Sequence, residues 1–346
     1  MPNHQPFTVI VPARNSAKTL APCLAAVFHS TVTPAEVIVV NDGSRDETAQ
    51  TASRFDCRVL NVEMARGPMP PRLEGARAAQ SSVLVFVDAD VRVSADTFQK
   101  ILGHFEEPAI HAVTGLLSRE SGTTSFFSIF KNEYMNYIFK KQPQDSRFLY
   151  GSLWAIRKDC LIEFEPLQAL FGGLVSDSEL GLLLKRAGRK IILDHSLEVV
   201  HLKEYNLPSL LKNDFQIPFS FGALLARYGL PAPVTREKRF SHISLGQTLA
   251  TGWAFLALAG LGLAVLSSNT LFYFPAGFFL LLFYAQWHEF ITVLSKGRGA
   301  LFAFSTLLFL PWDQAVMFCG TLAGLIYGLA DKKSPSPSDS VSEALC

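Results

Sequence analysis

Val83-Leu84-Val85-Phe86-Val87-Asp88-Ala89-Asp90 is the stretch on which the reading of this chain turns. Five consecutive apolar residues end in two carboxylates spaced i, i+2. An apolar run of that length reads as a strand buried on both faces, the pattern of parallel sheets. Open α/β sheets hold their ligands beyond the carboxyl ends of the strands. Two aspartates there offer hard oxygen ligands suited to Mg²⁺ or Mn²⁺ carrying phosphates. Taken alone, Asp-x-Asp reads equally well as a turn leading into a helix cap, so its neighbours in the fold decide.

The stretches before it alternate in the same way. Residues 7–11 read as a first strand, and Asn15 or Ser16 can cap a helix running to about Phe28. Residues 36–40 read as a second strand ending in the turn Asn41-Asp42-Gly43-Ser44. A short helix over 48–55 and a third strand over 57–62 follow. Pro68, Pro70 and Pro71 predict a loop over 66–71, before a helix over 73–80 and the strand 83–87. Strands alternating with helices predict a parallel sheet covered by helices. Beyond Val93 the order is mixed: helices over 95–105, 124–140 and 177–187, and strands over 112–118, 148–156 and 191–202.

The chain has 346 residues, 49% of them hydrophobic, and a net charge of +1. That near-neutral balance gives no basis for a nucleic-acid partner. Its mean hydropathy of +0.23 is high for a soluble enzyme, and the excess is uneven: the charge is concentrated in 1–240, whereas 243–330 is mostly apolar. The shift predicts a soluble domain over 1–205 joined to a membrane domain over 243–330. Cys23, Cys57, Cys160, Cys319 and Cys346 are odd in number and lack C-x-x-C spacing, which argues against a disulfide framework and suits a reducing cytoplasm. Met1 to Gln5, ahead of the first strand, is too short a stretch for a signal peptide.

Residues 206–228 carry Leu207, Leu210, Leu211, Phe215, Phe219, Leu224 and Leu225 among a few charges, with Pro218 breaking the run in two. This predicts either a kinked amphipathic segment on the bilayer surface, extending to about residue 240, or a helix packed on the soluble core. Residues 243–268 and 270–294 are each long enough to cross a bilayer of about 30 Å. Residues 300–330, interrupted by Pro311-Trp312-Asp313, read as an interfacial helix followed by a third span or as a re-entrant hairpin. Arg236, Lys238 and Arg239 precede the first span, and Lys296 and Arg298 follow the second. Positive-inside reasoning therefore places the N-terminal domain and the 295–299 loop in the cytoplasm. Residues 331–346 read as a disordered tail, Ser/Pro-rich from Ser334.

Pro12-Ala13-Arg14-Asn15, Asn41-Asp42-Gly43-Ser44 and Asp88-Ala89-Asp90 put polar groups at three carboxyl ends of one predicted sheet. A nucleotide crevice accounts for that placement, with the Asp42 carboxylate suited to accept hydrogen bonds from a base or ribose. No Gly-x-Gly-x-x-Gly follows the first strand, which disfavours a dinucleotide site, and no Walker A sequence occurs. Val9 to Asn15, Val37 to Ser44 and Phe86 to Asp90, in that order, resemble the family 2 glycosyltransferases. A fourth element agrees: Ser176-Asp177-Ser178-Glu179-Leu180, with Leu184 and Arg186-Ala187-Gly188, is similar to that family's Glu-Asp-x-Glu-Leu…Gly helix.

The resemblance, which covers about residues 7–201, implies a GT-A fold, a nucleoside-diphosphate sugar donor and inversion at the anomeric carbon. It implies that Pro12, Ala13, Arg14, Asn15 and Asp42 hold base and ribose, that Asp88 touches ribose or metal, and that Asp90 ligates a divalent Mn²⁺ or Mg²⁺ across the diphosphate. It gives the role of base to Asp177, at a helix start whose dipole favours the carboxylate. Arg72-Leu73-Glu74-Gly75 resembles the family's Ala-Arg-Asn-x-Gly loop, with leucine for asparagine, and makes Arg72 a candidate for the diphosphate. Ser176 stands where the family has glutamate, and no Gln-x-x-Arg-Trp occurs, which argues against a processive synthase. His201 could complete the metal shell and Lys203 meet a phosphate, although a histidine beside a lysine at a strand end is commonly surface alone. Gly151, Ser152, Gly172 and Gly173 resemble acceptor-side loops.

The expected activity is transfer from a nucleotide sugar, UDP-sugar first, to a lipid or lipid-linked acceptor at the cytoplasmic membrane face. The acceptor expectation rests on the membrane segments. Two rivals stand beside it. A sugar nucleotidyltransferase needs a Gly-rich basic loop after the first strand, where this chain has Pro12-Ala13-Arg14-Asn15-Ser16. A decayed membrane scaffold or sugar-nucleotide sensor has only Ser176 and Leu73 in its favour.

Overall fold

The computed structural model describes residues 5–64, 67–164, 174–228 and 239–330. The chain divides between Glu204 and Tyr205 into two compact units. In the first, strands β1 (Phe7–Ala13), β2 (Glu36–Asp42), β3 (Arg58–Val62), β4 (Val83–Val87), β5 (Val91–Arg92), β6 (Ile110–Ser121), β7 (Leu153–Arg157) and β8 (Lys190–His201) form one sheet. Its order is β3-β2-β1-β4-β7-β6-β8-β5. Neighbours β3, β2, β1 and β4 are parallel, as are β6 and β8, while β7 and β5 run against their partners. This is the mostly parallel sheet that the apolar strands foretell, in the GT-A type that the family resemblance implies.

The central strands β1, β2 and β4 are mostly apolar because both faces are covered. Val83 to Val87 are fully buried. Helix α1 (Ala17–Phe28) buries Leu20, Cys23, Leu24 and Val27, the i, i+3, i+4, i+7 stripe of a helix lying on a core. Helices α2 (Thr48–Ala52), α3 (Met69–Ala78), α4 (Thr97–Phe105), α5 (Phe126–Lys140), α6 (Lys158–Glu163) and α7 (Ser176–Arg186) complete the unit. In α4, Phe98, Ile101, Leu102 and Phe105 join the same core as α1.

Several local expectations are corrected. The proline-rich stretch is not a loop throughout, because α3 starts at Met69 with prolines in its first turn. First-turn N–H groups have no partner inside a helix, so proline costs nothing there. Strand β7 starts at Leu153 rather than Phe148. The backbone turns just before it, where the Leu153 N–H donates to the Tyr150 carbonyl at 3.2 Å. Strand β5 and helix α6 were not foreseen; β5, only two residues long, sets Val91 opposite His201.

The second unit contains helices α8 (Leu207–Tyr228), α9 (Leu245–Ser267), α10 (Tyr273–Arg298) and α11 (Ala300–Ala330), and a short antiparallel pair, β9 (Arg239–Phe240) with β10 (Ile243–Ser244). Pro218 does not break α8, which is continuous. Its close partner is α11, through a row of glycines: a Cβ on Gly320 would run into the Phe215 carbonyl oxygen, and one on Gly324 into that of Phe219. Gly320-x-x-x-Gly324-x-x-x-Gly328 is the small-residue spacing that lets apolar helices approach closely.

Nor does Pro311 divide α11 into an interfacial helix and a span, or into a hairpin, since α11 is one helix of 31 residues. Proline at 311 removes the N–H that would bond the Leu307 carbonyl. The Tyr284 hydroxyl donates to that carbonyl at 2.6 Å instead, the kind of replacement that permits proline inside apolar helices. Helix α9 opens on a capping box between Ser244 and Gln247. Helices α9, α10 and α11 are long and apolar enough to cross a membrane, and their outward surface is hydrophobic, with Leu266 86% and Leu301 81% exposed. The tail 331–346 lies outside the described residues.

Candidate active site

The carboxyl ends of β2, β1 and β4 are adjacent, so the three motif loops converge. At the outer side, Pro12 and Ala13 close β1, with Ala13 level with Asn41 of β2. Asn15 adopts a left-handed φ of 50°, a conformation that asparagine tolerates better than most residues. Its Oδ1 accepts from the Arg45 N–H at 2.9 Å, and its own N–H donates to Ser44 Oγ at 3.0 Å. The two loops are thereby held as one rim. Asp42 is buried, and Arg14 Nη1 stands 3.9 Å from its Oδ2.

Arg72 reaches Asp88 because α3 lies close on the sheet. A Cβ on Gly75 would be 2.5 Å from Ile10 Cγ2 and 3.1 Å from Val40 Cγ2, so only glycine gives that approach without displacement. One turn earlier, the Arg72 guanidinium donates from Nη2 to Asp88 Oδ1 at 2.6 Å and to the Gly151 carbonyl at 3.2 Å, and from Nη1 to the Pro68 carbonyl at 3.2 Å. Burial, with Asp90 and Asp177 adding to it, pushes the Asp88 carboxyl up to about 6 despite the Arg72 charge.

Helix α7 uses the same device. A Cβ on Gly181 would lie 2.5 Å from Phe148 Cα, so α7 packs directly on the backbone leading to Gly151. Asp177, one turn before Gly181, is 9% exposed. A Cβ on Gly151 would stand 3.0 Å from Asp177 Oδ2 and 3.3 Å from Arg72 Nη2, which brings base candidate and guanidinium to one glycine. Burial raises the Asp177 carboxyl above its ordinary range, opposed by the Arg72 charge and by backbone N–H groups at Ser178, Asp177 and Gly151. Ser176 is fully buried, and its hydroxyl finds no partner among the described residues.

At the other side of Asp88, the pairing of β5 with β8 brings His201 to Asp90. The Leu202 N–H donates to the Asp90 carbonyl at 2.7 Å, and His201 Nε2 is 3.5 Å from Asp90 Oδ2. Burial opposes ionisation of Asp90, but the His201 hydrogen bond and the charges of His201 and Lys203 outweigh it and hold the carboxyl below the usual range. Lys203 itself is exposed. Among the described residues no three His, Cys, Asp or Glu side chains gather as a metal cluster. Mg²⁺ and Mn²⁺ in phosphate sites need only one or two carboxylates beside substrate oxygens and water. The Asp90 and His201 donors, side by side at the cleft, fit that requirement.

Ser152 is buried beside Asp88, its carbonyl accepting from the Asp88 N–H at 3.2 Å. Gly172 and Gly173 lie outside the described residues. Tyr150 was missed in the sequence. Burial raises its phenol, with Asp88, Asp177 and Asp90 acting in the same direction, so it is a neutral neighbour of all three acids. Its position two residues before Ser152 was the available signal.

Residues 8–164 match the model of the family described as Glycosyl transferase family 2. The matched stretch runs from β1 through α6, and it is this part of the chain that is similar to that family. Over 122 residues it is 34% identical to 4,4'-diaponeurosporenoate glycosyltransferase of Staphylococcus aureus strain bovine RF122 / ET3-1, covering 34% of this chain and 32% of the relative. The enzyme of the same name from strain USA300 is 33% identical over 122 residues, with the same coverage. The match thus spans about a third of the length of these curated relatives. Among solved structures, the mannosyltransferase PcManGT of Pyrobaculum calidifontis, in complex with GDP-Man and Mn²⁺, superposes with a TM-score of 0.53 at 18% identity. The superposition covers 96% of this chain and 89% of that one, and it shows a shared fold. In the first unit of the present chain, the acidic cleft lies at the carboxyl end of the sheet, where a doubly covered α/β sheet takes its ligand.

Proposed function

We propose that this protein is an inverting glycosyltransferase that moves a sugar from a nucleoside-diphosphate sugar, UDP-sugar first, to a lipid or lipid-linked acceptor at the cytoplasmic membrane face. The observation that carries the reading is the meeting of Arg72, Asp88, Gly151 and Asp177 in one cleft, with Asp90 and His201 adjoining it. Pro12, Ala13, Arg14, Asn15 and Asp42 form the side that receives base and ribose, and Asp88 the ribose seat next to the diphosphate. Asp90 and His201 would hold a divalent Mn²⁺ or Mg²⁺. Such an ion supplies charge stabilisation to a departing diphosphate.

Asp177 takes the acceptor hydroxyl proton as that oxygen attacks the anomeric carbon and the bond to the diphosphate breaks. Burial suits it to the task, because a carboxylate harder to ionise than usual is a stronger base once ionised. Gly151, Ser152 and Lys203 are assigned to the acceptor side, and the family resemblance alone adds Gly172 and Gly173 to that assignment. The lipid acceptor is supported by the apolar helices α9–α11 and by relatives named for acting on 4,4'-diaponeurosporenoate. The donor class is supported by the GDP-Man of the structural neighbour.

The test is to incubate the purified protein with Mn²⁺, a panel of nucleotide sugars and extracted membrane lipids. Release of a nucleoside diphosphate with a glycosylated lipid is expected. Absence of turnover for every donor would overturn the reading, and pyrophosphate release would replace it with nucleotidyl transfer.

A further inference from the structure

We infer that Arg119, held in place by Glu133, recognises an oxyanion carried by the acceptor, and that the acceptor is an anionic amphiphile. The inference deepens the proposed function and rests on its lipid acceptor.

The sheet decides which substrate Arg119 meets. Base and ribose are assigned to the ends of β1 and β2, and the diphosphate to the end of β4. In the order β3-β2-β1-β4-β7-β6-β8-β5, strand β6 lies on the far side of β4 from the base. Strand β6 points the same way as β4, because β7 opposes both, and Phe86, Trp154 and Thr114 stand level across the three. Arg119 follows Thr114 by more residues than Asp88 follows Phe86, so it stands past the level of the acids, on the rim. The neighbouring end of β8 is His201, which pairs with Ser121. Helix α5, which holds Arg119, belongs to the side of the base. Its Phe139 packs on Tyr150, next to Gly151, and on Phe148, the residue on which α7 rests.

Arg119 Nε donates to Glu133 Oε2 at 2.8 Å. The Glu133 side chain is 2% exposed and that of Arg119 41%. A buried carboxylate thus fixes an arginine that still reaches solvent. Taking that carboxylate out of water is unfavourable, and an apolar pair would join β6 to α5 without the penalty. A guanidinium fixed at a cleft rim is suited to another task, since its planar fork of donors matches a carboxylate or a phosphate. The adjacent acid, Glu120, is taken by Arg92 Nη2 at 2.9 Å, and Lys203, exposed past the end of β8, adds a cation on the same side. Glu133 also shares a face of α5 with aromatic rings. Phe126 stacks on Phe130 at 6.2 Å and Phe130 on Tyr134 at 6.1 Å, and Phe126 and Phe127 are half-buried. One cation beside an aromatic row fits an anionic head on a hydrocarbon chain. The attacking hydroxyl is a separate group of the same molecule, at Asp177.

The test measures binding of radiolabelled dodecyl phosphate, dodecanoate and dodecanol to the full-length protein in dodecyl maltoside. The parent is expected to bind at least one of the anions about tenfold more tightly than dodecanol, and Arg119→Gln to lose that margin. Arg119→Lys, charged but without the fork, is expected to fall between them. Circular dichroism identifies unfolded variants. Arg119→Gln/Glu133→Gln, which removes both charges of the pair, serves where Arg119→Gln alone does not fold, and is expected to lose the same margin. A margin for dodecyl phosphate identifies the head as a phosphate, and one for dodecanoate as a carboxylate. Displacement of either anion by an equal concentration of inorganic phosphate would mean that a free ion is recognised, and overturns the inference. UDP affinity in Mn²⁺ is read on the same preparations, and a loss of about tenfold in folded Arg119→Gln assigns Arg119 to the donor and overturns it too. A parent without the margin, or folded variants that keep it, overturns the inference while release of nucleoside diphosphate sustains the glycosyltransferase reading. Arg119-dependent binding without turnover of any donor removes that reading and leaves the oxyanion site.

Discussion

A methyl group at position 151 would stand 3.0 Å from the Asp177 carboxylate and 3.3 Å from the Arg72 guanidinium. Gly151→Ala is therefore expected to push base and guanidinium apart, lowering kcat/KM about tenfold or more while costing about 1 kcal/mol of stability. Steady-state kinetics and thermal unfolding on the same preparation check both. Asp177→Asn separates function from folding. As the base, its loss should lower kcat about 10²-fold or more. The sign for stability is the opposite. Asp177 and Asp88 are both harder to ionise folded than unfolded, so their contribution is full below the ordinary carboxylate range and is lost as pH rises, for Asp88 through about 6. At neutral pH the buried Asp177 charge is a cost, and Asp177→Asn should raise Tm; a lower Tm would contradict this. The acid limb of kcat/KM should likewise lie above the ordinary carboxylate range, near 6, where Asp88 ionises. Asp42, Asp88 and Asp90 could be picked out in the sequence because acids at strand ends carry a pattern, and Asp177 because its helix resembles a family motif. The partnership of Arg72 with Asp88 could not, since it depends on how closely a helix lies on a sheet.

That closeness is set by elements meeting at glycines. Helix α3 rests on β1 and β2 at Gly75, and α7 rests on the backbone at Phe148 through Gly181. Gly75→Ala forces a Cβ to within 2.5 Å of Ile10 Cγ2. The expected outcome is a loss of about 1–3 kcal/mol in urea unfolding and a drop in activity, as α3 moves out and carries Arg72 from Asp88. The strands and most helices were legible from their apolar periods, because a buried strand and an amphipathic helix differ in spacing. Prolines were the misleading signal. Pro70 and Pro71 sit where a helix has no N–H to lose, and Pro311 is accommodated by a hydroxyl 27 residues earlier in the chain, that of Tyr284. A sequence shows the missing donor but not its replacement. Tyr284→Phe should therefore destabilise the helical unit by about 1 kcal/mol. In a Pro311→Ala background, where the backbone N–H returns to Leu307, the same change should cost close to nothing. A double-mutant cycle of thermal unfolding in detergent reads the difference. Equal cost in both backgrounds would mean that Tyr284 does not stand in for the proline.

Across the molecule, apolar composition alone separated the catalytic part from the helical part, and it is the surface of α9–α11 that turns this into an expectation about the membrane. Leu266, Phe274 and Leu301 project outward at 86%, 76% and 81% exposure. Leaving such a surface in water would cost roughly 25 cal/mol for each Å², so alkaline extraction should leave the protein in the membrane pellet and detergent should release it. The hairpin of α9 and α10 allows a finer test. Gly260 of α9 meets Ala276 of α10, and Gly246 meets Gln286, so the helices are antiparallel and their connection at Ser268–Asn269 lies at the opposite end from Ser295–Gly299. The connection has no charge, whereas Lys296 and Arg298 flank the other end, and basic residues stay on the cytoplasmic side. In a background with native cysteines replaced by serine, Asn269→Cys should react with a membrane-impermeant maleimide in intact cells, and Ser295→Cys only after permeabilisation. If Ser295→Cys is the one labelled from outside, the donor site cannot be assigned to the cytoplasm by charge. A cytoplasmic nucleotide sugar would then have to be carried across before this enzyme could use it.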